Sequence, residues 1–102
     1  MKPTLFFGLA AGLLAAAGPA QAQADALQVR SWAAACAACH GTDGRSASGS
    51  DSLAGANKEQ MLRTLLAFKS GDKPALVMHQ LAKGYTDDQL AAIAGWFAAQ
   101  KK

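Results

Sequence analysis

The chain has 102 residues, a formal net charge of +3 and an apolar fraction of 51%, which leaves room for one small domain and excludes a second lobe. From Gln23 onward 38 of 80 residues are apolar, but 18 of these are alanine, so only 20 larger apolar side chains remain for a core. The mild positive charge gives no indication of nucleic-acid binding. Domains of this size with so thin a core usually need a disulfide, a metal or another apolar insert.

The first residues have the pattern of a secretory signal peptide. Lys2 provides the positive start, residues 5–17 form the apolar stretch, and a small-residue cleavage pattern ends at Ala22. An overlapping pattern ends at Ala24 and permits cleavage there instead. The apolar run is too short to favour a membrane anchor. We therefore predict a signal peptide over residues 1–22, a mature domain over residues 23–102 in the periplasm, and no membrane span after cleavage.

The first half of the mature sequence predicts one helix and one long loop. Residues 25–35 are good helix formers, and this helix is predicted to run directly into Cys36. Residues 41–52 contain three glycines and a single apolar residue, Ala47, which is typical of a functional loop. No stretch alternates apolar and polar residues with a period of two, so no strand is predicted.

Three segments with helix signals follow the loop. Asn57 caps a helix predicted to end at Phe68, in which the periodicity places Met61 in the core. A short segment is predicted over residues 75–82, and the last helix begins at the Thr86 capping box. The sequence therefore predicts an all-α fold with three main helices and a short methionine-bearing segment.

The two cysteines of the chain carry the most specific chemical signal. They lie in C-A-A-C-H at residues 36–40, the pattern of covalent c-type haem attachment. Cysteines three apart on one helical face can each form a thioether with a haem vinyl group, and His40 then projects its imidazole toward the iron. A disulfide between Cys36 and Cys39 would leave His40 unexplained. A zinc site completed by His79 would lack the usual second ligand pair.

A second axial ligand has to come from further along the chain. Met61 is accounted for by the periodicity of its helix, since core packing is the commoner role of a helical methionine. Met78 follows Pro74 on a short segment that can fold over the haem face opposite His40. Ligation by its neighbour His79 would give bis-histidine iron, whereas methionine raises the reduction potential. The residues alone leave these alternatives open.

The combined motifs resemble the class I c-type cytochromes over nearly the whole mature chain. The resemblance rests on CAACHG at residues 36–41, Leu-Ala-Gly at residues 53–55, Met78 and the capped last helix. It implies the class I cytochrome c fold around one covalent haem c, with Met78 as the second axial ligand and with Trp32 and Trp96 at the crossing of the first and last helices.

One departure from that family concerns the imidazole of His40. Many of these cytochromes carry a proline just before the Leu-Ala-Gly segment, where its carbonyl can receive the N–H of the haem-ligand imidazole. Residues 49–52 contain no proline, and Asp51 occupies about that position. The hydrogen-bond partner of His40 is therefore not predicted.

Two further strings, residues 68–74 and 77–85, resemble the cytochrome subunit of flavocytochrome c sulfide dehydrogenase. The resemblance implies periplasmic one-electron transfer in sulfide oxidation, with electrons received from a flavoprotein subunit. No G-x-G-x-x-G follows a strand here, so the flavin would lie on another chain. No catalytic residue is predicted. The alternatives are a free shuttle that serves a membrane redox complex, and a haem-based ligand sensor.

Overall fold

The computed structural model describes residues 25–47 and 49–102, and the predicted signal peptide lies outside them. The described part of the chain is helical and has no strands, which confirms the all-α prediction. A 3-10 turn at Thr42–Gly44 accompanies five α-helices. These are α1 (Ala26–Ala34), α2 (Ala37–His40), α3 (Lys58–Ser70), α4 (Met78–Lys83) and α5 (Asp87–Ala98).

Helix α1 ends at Ala34, one residue before its predicted end, and a turn with helical backbone angles at Ala35 and Cys36 joins it to α2. Asp25 caps its start by accepting a hydrogen bond from the Gln28 N–H at 2.8 Å. At its other end the N–H of Ala35 bonds to Trp32 O at 3.3 Å, and the N–H of Cys36 bonds to Ala33 O at 3.0 Å. Bonds of this i to i−3 type tighten the backbone into a turn. The chain therefore reaches the cysteines through a tightened helical turn.

The other helices start and stop close to the predicted signals. Asn57 caps α3 through a 2.8 Å bond from the Gln60 N–H, and α3 continues past the predicted Phe68 to Ser70. Gly71 ends it with a φ of +90°, a conformation that glycine adopts without strain. Within the short segment predicted over residues 75–82, helix α4 begins only at Met78; Val77 before it has a φ of −132° and makes no side-chain capping bond.

The core lies where α5 packs against α1 and α3, while α4 packs against α3. Helix α5 begins with the predicted capping box, in which the Thr86 and Gln89 side chains each bond to the other residue's backbone N–H. Met61 is buried in the central cluster, as predicted, and Trp32 and Trp96 pack on the margin of the same cluster. The buried members of that cluster are Ala33, Met61, Ile93, Ala94 and Phe97.

Candidate haem site

Helix α2 brings three of the four predicted site residues to one helical face. Cys36 has helical backbone angles immediately before α2, and the His40 N–H bonds back to Cys36 O at 2.9 Å. Residues spaced i, i+3 and i+4 lie on the same side of a helix, so Cys36, Cys39 and His40 present their side chains together. Cys39 is exposed, whereas Cys36 and His40 are half-buried.

The state of the cysteines argues against both alternatives to haem. Cys36 and Cys39 are thiols and are not joined in a disulfide. Burial raises the pKa of the Cys36 thiol, which disfavours the thiolate form that zinc binds. Among residues 25–47 and 49–102, no three side chains of the His, Cys, Asp and Glu types are grouped to hold a metal ion.

The imidazole of His40 is oriented by the backbone of the following loop. His40 Nδ1 lies 2.6 Å from the carbonyl oxygen of Asp51. Because a carbonyl can only accept, the hydrogen is on Nδ1, and Nε2 keeps a lone pair that is available to a metal. A ligand histidine usually has its other nitrogen fixed in this way. The structure thus supplies the partner that the sequence left unassigned, and it uses only the Asp51 backbone.

Two glycines shape the loop that carries this carbonyl. Gly41 has a φ of +85°, and a Cβ there would overlap the carbonyl of Arg45. The carbonyl of Gly44 accepts from the N–H groups of Leu53 at 2.8 Å and Ala54 at 3.1 Å, which closes the loop across its base. The backbone that holds His40 is therefore anchored to the body of the protein near Asp51.

Helix α4 carries the fourth predicted site residue, Met78, next to exposed apolar side chains. Met78 is half-buried at the first position of α4. Exposed large apolar side chains surround it in sequence: Leu76 is 96% exposed, Val77 53% and Leu81 47%. His79 Nδ1 is buried without a hydrogen-bond partner among the described residues. The sequence does not predict that this nitrogen is buried without a partner, because the burial of one ring atom depends on long-range packing.

These features together fit a cofactor with large apolar faces and a few polar groups. Exposed apolar surface near Met78 would gain about 25 cal/mol per Å² on being covered. The two thiols and the Nε2 lone pair on α2 are the groups that a c-type haem requires.

The comparison with protein families shows to which family the chain belongs. The family model described as cytochrome c matches residues 28–100, which includes α2, α4 and α5. The chain belongs to the cytochrome c family. Its fold is therefore the class I cytochrome c domain, and its cofactor is covalently bound haem c.

Curated relatives of this cytochrome fall into two groups. The cytochrome subunit of sulfide dehydrogenase from Chlorobaculum tepidum is 42% identical over 67 residues, which cover 66% of this chain and 61% of that protein. Cytochrome c4 from Pseudomonas aeruginosa is 40% identical over 85 residues, covering 82% of this chain and 42% of the relative. Cytochrome c4 from Azotobacter vinelandii is 35% identical over 94 residues, covering 82% and 45%.

The chain thus spans about three fifths of the first relative and less than half of each cytochrome c4. Within the described residues, no helix combines the length and apolar character that a membrane crossing requires.

Proposed function

We propose that this cytochrome is the electron-accepting haem subunit of a flavoprotein sulfide dehydrogenase that works in the periplasm. The observation that carries the proposal is the 42% identity to the cytochrome subunit of sulfide dehydrogenase over two thirds of the chain. The signal pattern over residues 1–22 supports export, and the mature domain then begins at residue 23. Electrons would arrive singly from a flavin on the partner chain.

In this proposal the cysteines attach the cofactor covalently. Each of the Cys36 and Cys39 thiols adds across one vinyl double bond of the porphyrin. A carbon–sulfur bond forms, and the thiol hydrogen passes to the neighbouring vinyl carbon, so the addition is redox-neutral. Two such bonds on one face of α2 fix the position of the ring relative to His40.

His40 and Met78 would occupy the two axial positions of the iron. His40 offers Nε2, since Nδ1 donates its hydrogen to Asp51 O. Met78 offers a thioether from α4, and methionine raises the reduction potential relative to a second histidine. When bound, haem c supplies one-electron exchange between ferric and ferrous iron. With both axial positions filled by the chain, the cytochrome transfers electrons and does not bind oxygen or peroxide.

A docking face for the partner is supported by the part of the exposed apolar surface around α4 that the haem would leave uncovered. Leu76, Val77 and Leu81 are exposed, and the exposed Lys73 and Lys83 flank them in sequence. An apolar centre with a charged rim is the usual composition of a protein interface. Lysines at the rim would steer an acidic partner and affect the rate of association.

The test of this role is reconstitution with the flavoprotein. Sulfide should reduce the isolated cytochrome no faster than an unrelated c-type cytochrome, and rapidly when the flavoprotein of the same organism is added. A complex should also co-purify from periplasmic extract. Fast sulfide oxidation by the cytochrome alone would contradict this division of labour.

The second candidate function is a free periplasmic shuttle that serves a membrane redox complex, and the similarity to cytochrome c4 over 82% of the chain favours it. It would be supported by a cytochrome that purifies as a monomer and exchanges electrons with a membrane complex without any flavoprotein. A ligand-binding haem sensor would instead bind carbon monoxide readily in the reduced state.

The axial assignment has its own test with a matched control. Met78→Ala should abolish the methionine-to-iron charge-transfer band of the ferric protein, whereas Met61→Leu should keep it, because Met61 is buried in the core cluster. The reverse result would assign the ligand to Met61. In both variants the haem should stay attached through acid-acetone extraction if Cys36 and Cys39 carry the thioethers.

A further inference from the structure

A side-chain hydrogen bond spans the loop that carries the acceptor of His40. The backbone N–H of Ser46 donates to Ser52 Oγ at 2.9 Å, across a separation of 6 residues. Ser52 directly follows Asp51, whose carbonyl oxygen lies 2.6 Å from His40 Nδ1. The Ser52 hydroxyl bond therefore lies one residue away from the contact that orients the imidazole.

The carbonyl of Asp51 belongs to the same rigid unit as the backbone of Ser52. A peptide bond is planar, so the Asp51 carbonyl oxygen lies in one plane with the nitrogen and Cα of Ser52. This plane can turn only through the ψ angle of Asp51 and the φ angle of Ser52. Residues 49–52 contain no proline, so no ring restricts these rotations. The direction of the carbonyl therefore depends on the contacts that the two residues make.

The base of the loop is anchored immediately after Ser52. The N–H groups of Leu53 and Ala54 donate to Gly44 O at 2.8 and 3.1 Å. Ser52 is thus the one residue between this anchor and Asp51, and its hydroxyl bond limits the rotation that would turn the carbonyl away from the imidazole. Ser52 and Asp51 are both exposed, so a carbonyl that turned away would bond to water.

We propose that Ser52 is a positioning residue for the axial imidazole of His40. Its hydroxyl bond holds the Asp51 carbonyl on Nδ1 and thereby lowers the reduction potential of the holoprotein. This inference rests on the proposed ligation of the iron by His40, and it does not depend on the identity of the electron donor. A carbonyl that accepts from Nδ1 raises the basicity of Nε2, and a more basic ligand favours ferric iron, which carries the extra positive charge. Release of the carbonyl should therefore raise the potential.

Three variants of the holoprotein separate the hydroxyl bond from the composition of the loop. Ser52→Ala removes the hydroxyl, whereas Ser52→Thr keeps an oxygen at the same position and should restore the bond. Ser50→Ala is the matched control, because Ser50 flanks Asp51 on the other side and takes no part in the bonds of the Asp51 carbonyl or of Ser52 Oγ. Redox titration at one pH gives the potential of each variant. The methionine-to-iron charge-transfer band checks the opposite axial ligand.

The expected result is a higher potential in Ser52→Ala and the wild-type potential in Ser52→Thr and Ser50→Ala. The rise should correspond to at least a roughly twofold change in the ferric-to-ferrous ratio, which is about 18 mV at ~59 mV per tenfold change for a one-electron couple. The charge-transfer band should persist in all three variants. An unchanged potential in Ser52→Ala would overturn the proposal, and so would an equal rise in Ser52→Thr or in Ser50→Ala.

Hydrogen exchange in the reduced holoprotein follows the two bonds directly. The Ser46 amide and the His40 Nδ1–H should both exchange slowly in the wild type, and both should exchange several-fold faster in Ser52→Ala, because local opening controls the rate. Unchanged exchange at His40 in Ser52→Ala would overturn the positioning role even if the potential moved.

Failure of the axial assignment gives a different result from failure of the positioning role. In NMR spectra of the reduced wild type, large ring-current shifts of the His40 ring protons should show that the imidazole lies on the iron. Their absence would overturn the axial assignment and this proposal together. Unchanged potentials and exchange rates in Ser52→Ala, with those shifts intact, would overturn the positioning role of Ser52 alone.

Discussion

Replacement of Gly44 by alanine tests whether the loop after α2 is held in place by its contacts with the core. Gly44 is buried and has a φ of +82°. A Cβ at this position would lie 2.7 Å from Phe97 Cδ1 and 3.0 Å from the Ala54 nitrogen. Phe97 is 2% exposed in the core, and the Ala54 nitrogen donates to Gly44 O, so neither neighbour can move without breaking other contacts.

The expected cost has two parts that can be separated. A left-handed conformation costs an L-residue about 1–2 kcal/mol. Forcing an extra methyl group into a packed core costs about 1–3 kcal/mol. Gly44→Ala should therefore lower the free energy of unfolding by about 2–5 kcal/mol, a large part of the stability of a domain this small.

Two other glycines provide controls within the same chain. Gly71 also has a positive φ, +90°, but no atom lies within 4 Å of its hypothetical Cβ, so Gly71→Ala should show the conformational cost alone. Gly49 has neither feature, and Gly49→Ala should leave the stability within about 0.5 kcal/mol or raise it slightly. The difference between Gly44→Ala and Gly71→Ala isolates the contact with Phe97.

The assay is guanidinium chloride unfolding of the holoprotein, followed by far-UV circular dichroism. With a slope of about 2 kcal/mol/M, Gly44→Ala should shift the midpoint down by about 1–2.5 M. Equal midpoints for Gly44→Ala and Gly71→Ala would refute the reasoning, because they would show that Phe97 moves aside at no cost.

Three further substitutions have expected outcomes that follow from single contacts. Asp51→Ala should leave the haem spectrum unchanged and the stability within about 0.5 kcal/mol, because His40 bonds to the Asp51 backbone; a lost low-spin spectrum would implicate the carboxylate. Gly95→Ala should stabilise α5 by about 0.5–1 kcal/mol in thermal unfolding, since its Cβ would meet only the flexible end of Lys58, at 3.4 Å; destabilisation would show that this side chain cannot move. Thr86→Ala should cost about 1 kcal/mol and Thr86→Ser should restore it; equal stability of the alanine and serine variants would contradict a capping role.

The helices could be predicted from the sequence where a local signal marks their ends. The side chains of Asn57 and Thr86 each accept a hydrogen bond from the backbone N–H of the residue three positions later. Such a bond is local and needs no contact with distant parts of the chain. The turn between α1 and α2 has no such signal, because alanines continue on both sides of it. Local bonds from Ala35 and Cys36 tighten the chain there, although the helix was predicted to run directly into Cys36.

The chemistry of α2 was predictable for a similar reason, since the motif at residues 36–40 is local. The hydrogen-bond partner of His40 could not be predicted in this way. Every residue has a backbone carbonyl, and only the path of the loop decides that the carbonyl of Asp51 lies next to the imidazole. The positions of the Gly44 and Asp51 carbonyls are both set by the way the loop closes. Their hydrogen bonds can therefore be identified only from the structure.

The distribution of burial explains why this small domain needs its cofactor. The buried core lies among α1, α3 and α5, where it includes Met61, Ile93 and Phe97. Helix α4 contributes only Ala82 to the buried set, while large apolar side chains beside it stay in water. An element with so little buried area of its own cannot offset its conformational entropy. In the proposed site, haem would cover part of the apolar surface of α4, and the same contact would present Met78 to the iron.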